Sequence, residues 1–189
     1  MMAKRHLLLI TGMAGSGKTT LANLLRDKGY TVFTMGDVIR HEVRMRDLSP
    51  TPENLGRMAE EIRETGGDAA VARKCIPLII GEPNDKVALD GVRSLDEVYA
   101  FEEAFKIYMV AVHASPETRY RRLRSRGRSD DPPNRQLFRE RDHRELGFGM
   151  GEAIAMSDYI ITNENGVDAL EKNLNRMLQK VMSIDENPD

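Results

Sequence analysis

Residues 12–19 read Gly12-Met13-Ala14-Gly15-Ser16-Gly17-Lys18-Thr19. A glycine, four residues and then Gly-Lys-Thr is the spacing of a phosphate-binding P-loop. Before it lies the short apolar run His6–Thr11; after it Leu21, Leu24 and Leu25 repeat at helical spacing as far as Gly29. The motif therefore sits between a strand and a helix, the context that gives it meaning. The glycines permit a tight loop whose N–H groups point inward, and the helix start adds donors that have no partner of their own.

That geometry predicts binding of a nucleoside triphosphate by Gly12, Met13, Ala14, Gly15, Ser16, Gly17, Lys18, Thr19 and Thr20. Lys18 is expected to reach the β- and γ-phosphates of ATP, Thr19 to ligate Mg²⁺ and Thr20 to bond the α-phosphate. A dinucleotide fingerprint is excluded, because Gly15-Ser16-Gly17 is followed by Lys and Thr where a third glycine belongs.

Outward from the loop, short apolar runs alternate with helical patterns. The pattern predicts an α/β fold, three layers around a five-stranded parallel sheet, in one domain spanning 1–189. Expected strands are His6–Thr11, Thr31–Met35, Val87–Asp90, Tyr108–Ala114 and Tyr159–Thr162. Thr51-Pro52-Glu53, Ser94-Leu95-Asp96-Glu97, Ser115-Pro116-Glu117 and Asp131-Pro132-Pro133-Asn134 read as helix starts. Pro77 is expected to kink or end a helix that begins near Asp68. Two stretches exceed a minimal crossover: residues 40–84, expected as a helical acceptor-binding insertion, and residues 119–147, expected as a lid hairpin.

Charge points the same way. The chain has 189 residues and a formal net charge of −2, with 40% hydrophobic and 31% charged residues, which excludes a disordered chain. Ten of its arginines lie between Arg119 and Arg144 against four acids, so this window is +6 and the remainder −8. A uniformly basic nucleic-acid binder is excluded; a local anion site is expected. Aromatic stacking partners in the window are few (Tyr120, Phe138, Phe148), which counts against nucleic acid as partner. The single cysteine, Cys75, excludes an internal disulfide and reads as a part-buried helical thiol. No apolar run reaches the length of a membrane span, and the expected location is the cytoplasm.

Three further places carry candidate chemistry. Met35-Gly36-Asp37-Val38-Ile39-Arg40 follows the second strand, where open α/β sheets bind ligands, which gives Asp37 and Arg40 substrate roles. Asp90-Gly91-Val92-Arg93 ends the third strand. Its acid is placed to serve Mg²⁺ and Arg93 to offer a fork of donors to a phosphate. Asn163, after the last strand, is a candidate contact for the adenine ring. The plainer reading of the arginine window is ordinary ion pairing with Glu140, Asp142 and Glu145.

Together these residues resemble the nucleoside monophosphate kinase superfamily over nearly the whole chain. Thr34-Met35-Gly36-Asp37-Val38-Ile39-Arg40 is similar to the adenylate kinase acceptor stretch that ends in an arginine. Leu89-Asp90-Gly91-Val92-Arg93 is similar to that family's Asp-Gly-aromatic-Pro-Arg segment, one residue shorter and without the proline. The combination of Met35–Arg40, Val112–Pro116, Arg126–Pro132 and Arg144–Gly149 resembles an archaeal family of adenylate-kinase-related P-loop proteins. The resemblance implies Mg²⁺-dependent transfer of the γ-phosphoryl group of ATP to a small phosphorylated acceptor, foremost a nucleoside monophosphate. It implies Lys18 on the donor, Thr19 and Asp90 on the metal, and Arg40 and Arg93 clamping the acceptor. Arg124, Arg128, Arg139 and Arg144 would belong to the lid. Asp37 would shape the acceptor site, or act as base were the acceptor an alcohol. Ser157–Asn163 and Gly166 look more like the ending of dephospho-CoA kinases, so transfer to a ribose hydroxyl stays open. So does a regulatory or RNA-associated ATPase.

Overall fold

A computed structural model of the protein describes residues 4–127 and 131–186. Five parallel strands, β1 (His6–Thr11), β2 (Thr31–Thr34), β3 (Val87–Asp90), β4 (Lys106–His113) and β5 (Tyr159–Thr162), pair in the order β2-β3-β1-β4-β5. The central strand β1 alternates as a strand covered on both faces must. Leu7 and Leu9 enter one core, Leu8 and Ile10 the other. The first core is closed by α2 (Met35–Met45), α3 (Pro52–Gly66), α4 (Ala70–Ile80) and α5 (Leu95–Glu102). The second is closed by α1 (Lys18–Asp27) and α9 (Val167–Glu186). Between β4 and β5 run α6 (Pro116–Arg126), α7 (Arg135–Gly147) and α8 (Met150–Ala155). Among the described residues no helix is long and apolar enough to cross a membrane.

Three strands have the bounds expected from the sequence; the other two differ for local reasons. Strand β2 stops at Thr34 because the next residue already opens α2. Thr34 Oγ1 accepts the Asp37 N–H at 3.1 Å, which makes Thr34, and not Asp37, the N-cap. Strand β4 begins at Lys106, whose N–H bonds to Arg5 O at 2.9 Å and so extends the parallel ladder. The four helix starts read from sequence are present: Thr51, Ser94, Ser115 and Asn134 each accept a backbone N–H from three residues on. Each such cap is worth about 1 kcal/mol.

Two features depart from expectation. Helix α4 does not end at Pro77 but continues to Ile80. Proline costs one backbone bond there, that to the Arg73 carbonyl, and the turn is held by Cys75 and Ile79, both buried in the first core. Helix α8 was not anticipated; six residues are too few to show a period. The Cys75 thiol is buried, and burial pushes its pKa up to about 12, so it is a core side chain and not a nucleophile.

Candidate active site

The P-loop joins β1 to α1 at the carboxyl end of the central strand, where the neighbours β3 and β4 diverge. Its glycines are dictated by space as well as by conformation. Gly12 has φ +140° and a Cβ there would lie 2.3 Å from Val112 O; Gly17 has φ +110° and its Cβ would lie 2.1 Å from Asn163 Nδ2. Four of the loop's carbonyls are tied by side chains. Lys18 Nζ donates to Gly12 O (2.5 Å) and Met13 O (3.3 Å), Arg119 Nη1 to Ala14 O (3.2 Å) and Asn163 Nδ2 to Ser16 O (2.8 Å). The Ala14 N–H faces Glu145, which lines the cleft above the loop, and α1 adds the unbonded donors of its first turn.

Over this loop lies a cleft of about 560 Å³, lined by Lys18, Thr19, Thr20, Arg93, Arg141 and Glu145 among others. Burial pulls the Lys18 ammonium below its ordinary pKa; Asp90 and Glu145 oppose that pull. Burial likewise raises the Asp90 carboxyl, against the pull of Lys18. Asp90 Oδ1 is buried with no hydrogen-bond partner. Asp90 acts on the charge of the cleft-lining Lys18, and its unpartnered oxygen and the exposed Thr19 are hard-oxygen donors of the kind that Mg²⁺ takes. Among the described residues there is no cluster of three acids or imidazoles that would hold a metal by itself, so the phosphates would have to supply the remaining ligands.

The arginine hairpin is docked on the loop. Ala14, Leu123 and Phe138 form a small apolar cluster with Tyr120 against it. Arg119 is buried, pairs with Asp142 at 2.6 and 2.8 Å, and stacks its guanidinium 5.0 Å from the Phe138 ring. The plain ion-pair reading of the window thus holds for Arg119 with Asp142, and for Arg141, whose Nε donates to Glu145 at 3.2 Å. The arginines that line the cleft are Arg122, Arg126 and Arg141. Arg124 donates instead to Pro133 O at 2.5 Å, and Arg139 and Arg144 are exposed outside the cleft lining. Arg128 lies outside the described residues. Asn163, the expected adenine contact, is buried, with Nδ2 on Ser16 O and Oδ1 accepting from Arg122 at 3.3 Å.

Asp37 and Arg40 face each other. Arg40 Nη2 meets Asp37 Oδ1 at 2.6 Å, and the Thr34 hydroxyl donates to Asp37 Oδ2 at 2.6 Å. Partial burial pushes the Asp37 carboxyl up, but the bonds from Thr34 and Arg40 outweigh it and leave the pKa below the ordinary value. Neither residue lines the P-loop cleft. Arg93 does, and it also lines a second cleft of about 620 Å³. That cleft draws Arg63 and Asp68 from the 40–84 segment, and Phe148 and Glu152 from the loop around Gly149.

Glu97 supports Arg93 from below. Its Oε2 accepts the Arg93 N–H at 2.8 Å and its Oε1 pairs with Arg63 at 3.2 Å, while the side chain is 1% exposed. Burial raises its pKa, opposed by the Arg93 N–H and by Arg63. Glu97→Ala would take the acceptor from the Arg93 N–H and leave the mostly buried Arg63 guanidinium with no acid, only the Ala59 carbonyl. It should cost about 3 kcal/mol, read as a lower denaturant midpoint at unchanged slope. Glu97→Gln keeps the Arg93 bond and should cost less.

A P-loop after the central strand of this sheet, with an arginine hairpin docked above it, defines a nucleotide-binding P-loop protein with a kinase-like fold. Comparison with known proteins agrees. A family model described as an AAA domain matches residues 8–144. UPF0200 proteins of Hyperthermus butylicus, Methanocaldococcus jannaschii and Pyrococcus furiosus are 46%, 40% and 44% identical, over 95%, 92% and 93% of this chain and 96%, 89% and 97% of theirs. The chain belongs to the UPF0200 family. The crystal structure of TT1252 from Thermus thermophilus superposes with a TM-score of 0.66 at 19% identity, covering 94% of this chain and 98% of that one. Shikimate kinase from Bacteroides thetaiotaomicron superposes at 0.62 and 15%, covering 92% and 98%. Both likenesses concern the fold.

Proposed function

We propose that the protein is a small-molecule kinase which transfers the γ-phosphoryl group of ATP to a phosphorylated acceptor, a nucleoside monophosphate. The observation that carries this reading is Arg93, which lines both the P-loop cleft and the cleft beside it. Hydrolysis needs one cleft; transfer needs two that share an edge, so that donor and acceptor meet at one charged group.

In this reading the P-loop amides and Lys18 hold the β- and γ-phosphates, and Arg93 holds the acceptor phosphate, whose oxygen attacks the γ-phosphorus. The bond to the bridging oxygen of ADP breaks as the new bond forms, and the products are ADP and a diphosphate. Thr19 and Asp90 would hold Mg²⁺, which neutralises charge on the transferring group. Arg122, Arg126 and Arg141 serve the developing charge in place of Arg124, Arg139 and Arg144. An acceptor that is already an anion needs no base. The Asp37 carboxylate suits that, since its partners Thr34 and Arg40 make it a poor proton acceptor, which weakens the case for a ribose hydroxyl.

The test is one screen of ATP and Mg²⁺ against the nucleoside monophosphates, dephospho-CoA and shikimate, scored for phosphorylated product. Product from a monophosphate alone is the expected result; phosphate release without any acceptor would overturn it. With the acceptor in hand, Arg93→Ala should raise the acceptor KM on the order of tenfold or more, with the KM for ATP changed far less. An unchanged acceptor KM would remove Arg93 from this role.

A further inference from the structure

The phosphate cradle already holds an anion, and it is part of this chain. The Ala14 N–H, third residue of the P-loop, donates to Glu145 Oε2 at 3.2 Å. The other oxygen, Oε1, accepts from Arg141 Nε at 3.2 Å. The Glu145 side chain is 12% exposed, lines the cleft and acts on the charge of Lys18. A carboxylate that takes a P-loop amide on one side and a guanidinium on the other does what a phosphate oxygen would do there. Its placement follows from helix α7. Phe138 fixes which face of the helix meets the loop, and Arg141, Asp142 and Glu145 stand three, four and seven residues on, along that same face. Asp142 is committed to Arg119, which leaves Glu145 to meet the amide.

We infer that Glu145 is a built-in competitor for the nucleotide's phosphates. A phosphate oxygen arriving at the Ala14 amide must displace the carboxylate, and in doing so it takes over Arg141 as its own partner. The exchange keeps Arg141 beside an anion whether the cleft is empty or filled. It also makes every bound phosphate work against an internal rival, so Glu145 sets nucleotide affinity without touching the transferred group. This inference rests on the P-loop binding a nucleotide.

The test is calorimetric titration of inorganic pyrophosphate, ATP and adenosine into the wild type, Glu145→Gln, Lys18→Ala and Glu140→Gln. Glu145→Gln should bind pyrophosphate and ATP on the order of ten times more tightly, equivalent to about 1.4 kcal/mol, with adenosine unchanged. Glu140 sits on the same helix, hydrogen-bonded to Gln136 away from the cleft. Its replacement removes the same charge, so Glu140→Gln should stay within about twofold of the wild type. In the wild type, the Glu145 carboxyl carbon and the Ala14 amide should shift together in nuclear magnetic resonance as pyrophosphate is added. Unchanged or weaker pyrophosphate binding by Glu145→Gln, or equal tightening by Glu140→Gln, overturns the inference while leaving the P-loop reading intact. No binding of pyrophosphate or ATP by wild type and Glu145→Gln alike overturns both.

Discussion

Lys18→Ala should lower nucleotide turnover on the order of a thousandfold while the folded protein survives. The side chain's only hydrogen bonds among the described residues are to Gly12 O and Met13 O, within its own loop. Its burial is uncomfortable: desolvation pulls its pKa down, and the nearby Asp90 and Glu145 carboxylates oppose that pull. A group held in that state gains most when phosphates arrive. Removing it therefore takes away stabilisation of the transferring group and little of the core. Turnover assays paired with thermal melting check this; wild-type turnover in the variant would sink the kinase reading.

The second large effect is expected at Asp90. Asp90→Asn should abolish the dependence of nucleotide affinity on Mg²⁺ and lower turnover at least about a hundredfold. The affected atom is Oδ1, buried with no protein partner. Its pH behaviour has a definite sign. Burial raises the Asp90 pKa above the ordinary 3.8, against the opposing pull of Lys18. Metal binding needs the ionised form, so Mg²⁺ affinity should fall with acid earlier than an ordinary carboxylate would allow. The folded protein without ligand holds this proton more tightly than the unfolded chain. The group's contribution to stability therefore declines as pH rises through the window between the ordinary and the raised value. Calorimetric Mg²⁺ titrations at several pH values, with nucleotide present, test both statements. Equal affinities for nucleotide with and without the metal in the wild type would remove Asp90 from the metal site.

Much of the fold was legible because its signals are local. Capping residues and apolar runs mark α/β elements whatever surrounds them, and the P-loop states its own backbone conformation. What escaped depends on partners distant in the chain. The sequence placed ten arginines near the phosphates without saying which of them look inward. Helix α7 is polar nearly all round, so its phase is fixed by one residue, Phe138, reaching Leu123 and Ala14. Counting from Phe138 would have found Arg141 and Glu145, and counting from Leu123 would have found Arg126. Arg139 and Arg144 fall off that face. The bracing role of Asn163 escaped for a related reason: a polar residue after an edge strand reads as exposed until the loop it braces is seen in contact with it. Asp37 and Arg40 had the spacing of a site, and the same three-residue spacing on α2 lets them pair with each other.

The brace on the P-loop has a consequence for the making of the protein. Ser16 O is held by Asn163, and the two are 147 positions apart; Ala14 O is held by Arg119, 105 positions away. During synthesis the loop's sequence leaves the ribosome early, but the residues that hold these two carbonyls leave late. A nascent chain that has not yet delivered β5 carries the motif without the Asn163 brace. Nucleotide can then favour folding only at the last stage, when the final strand docks and completes the cradle.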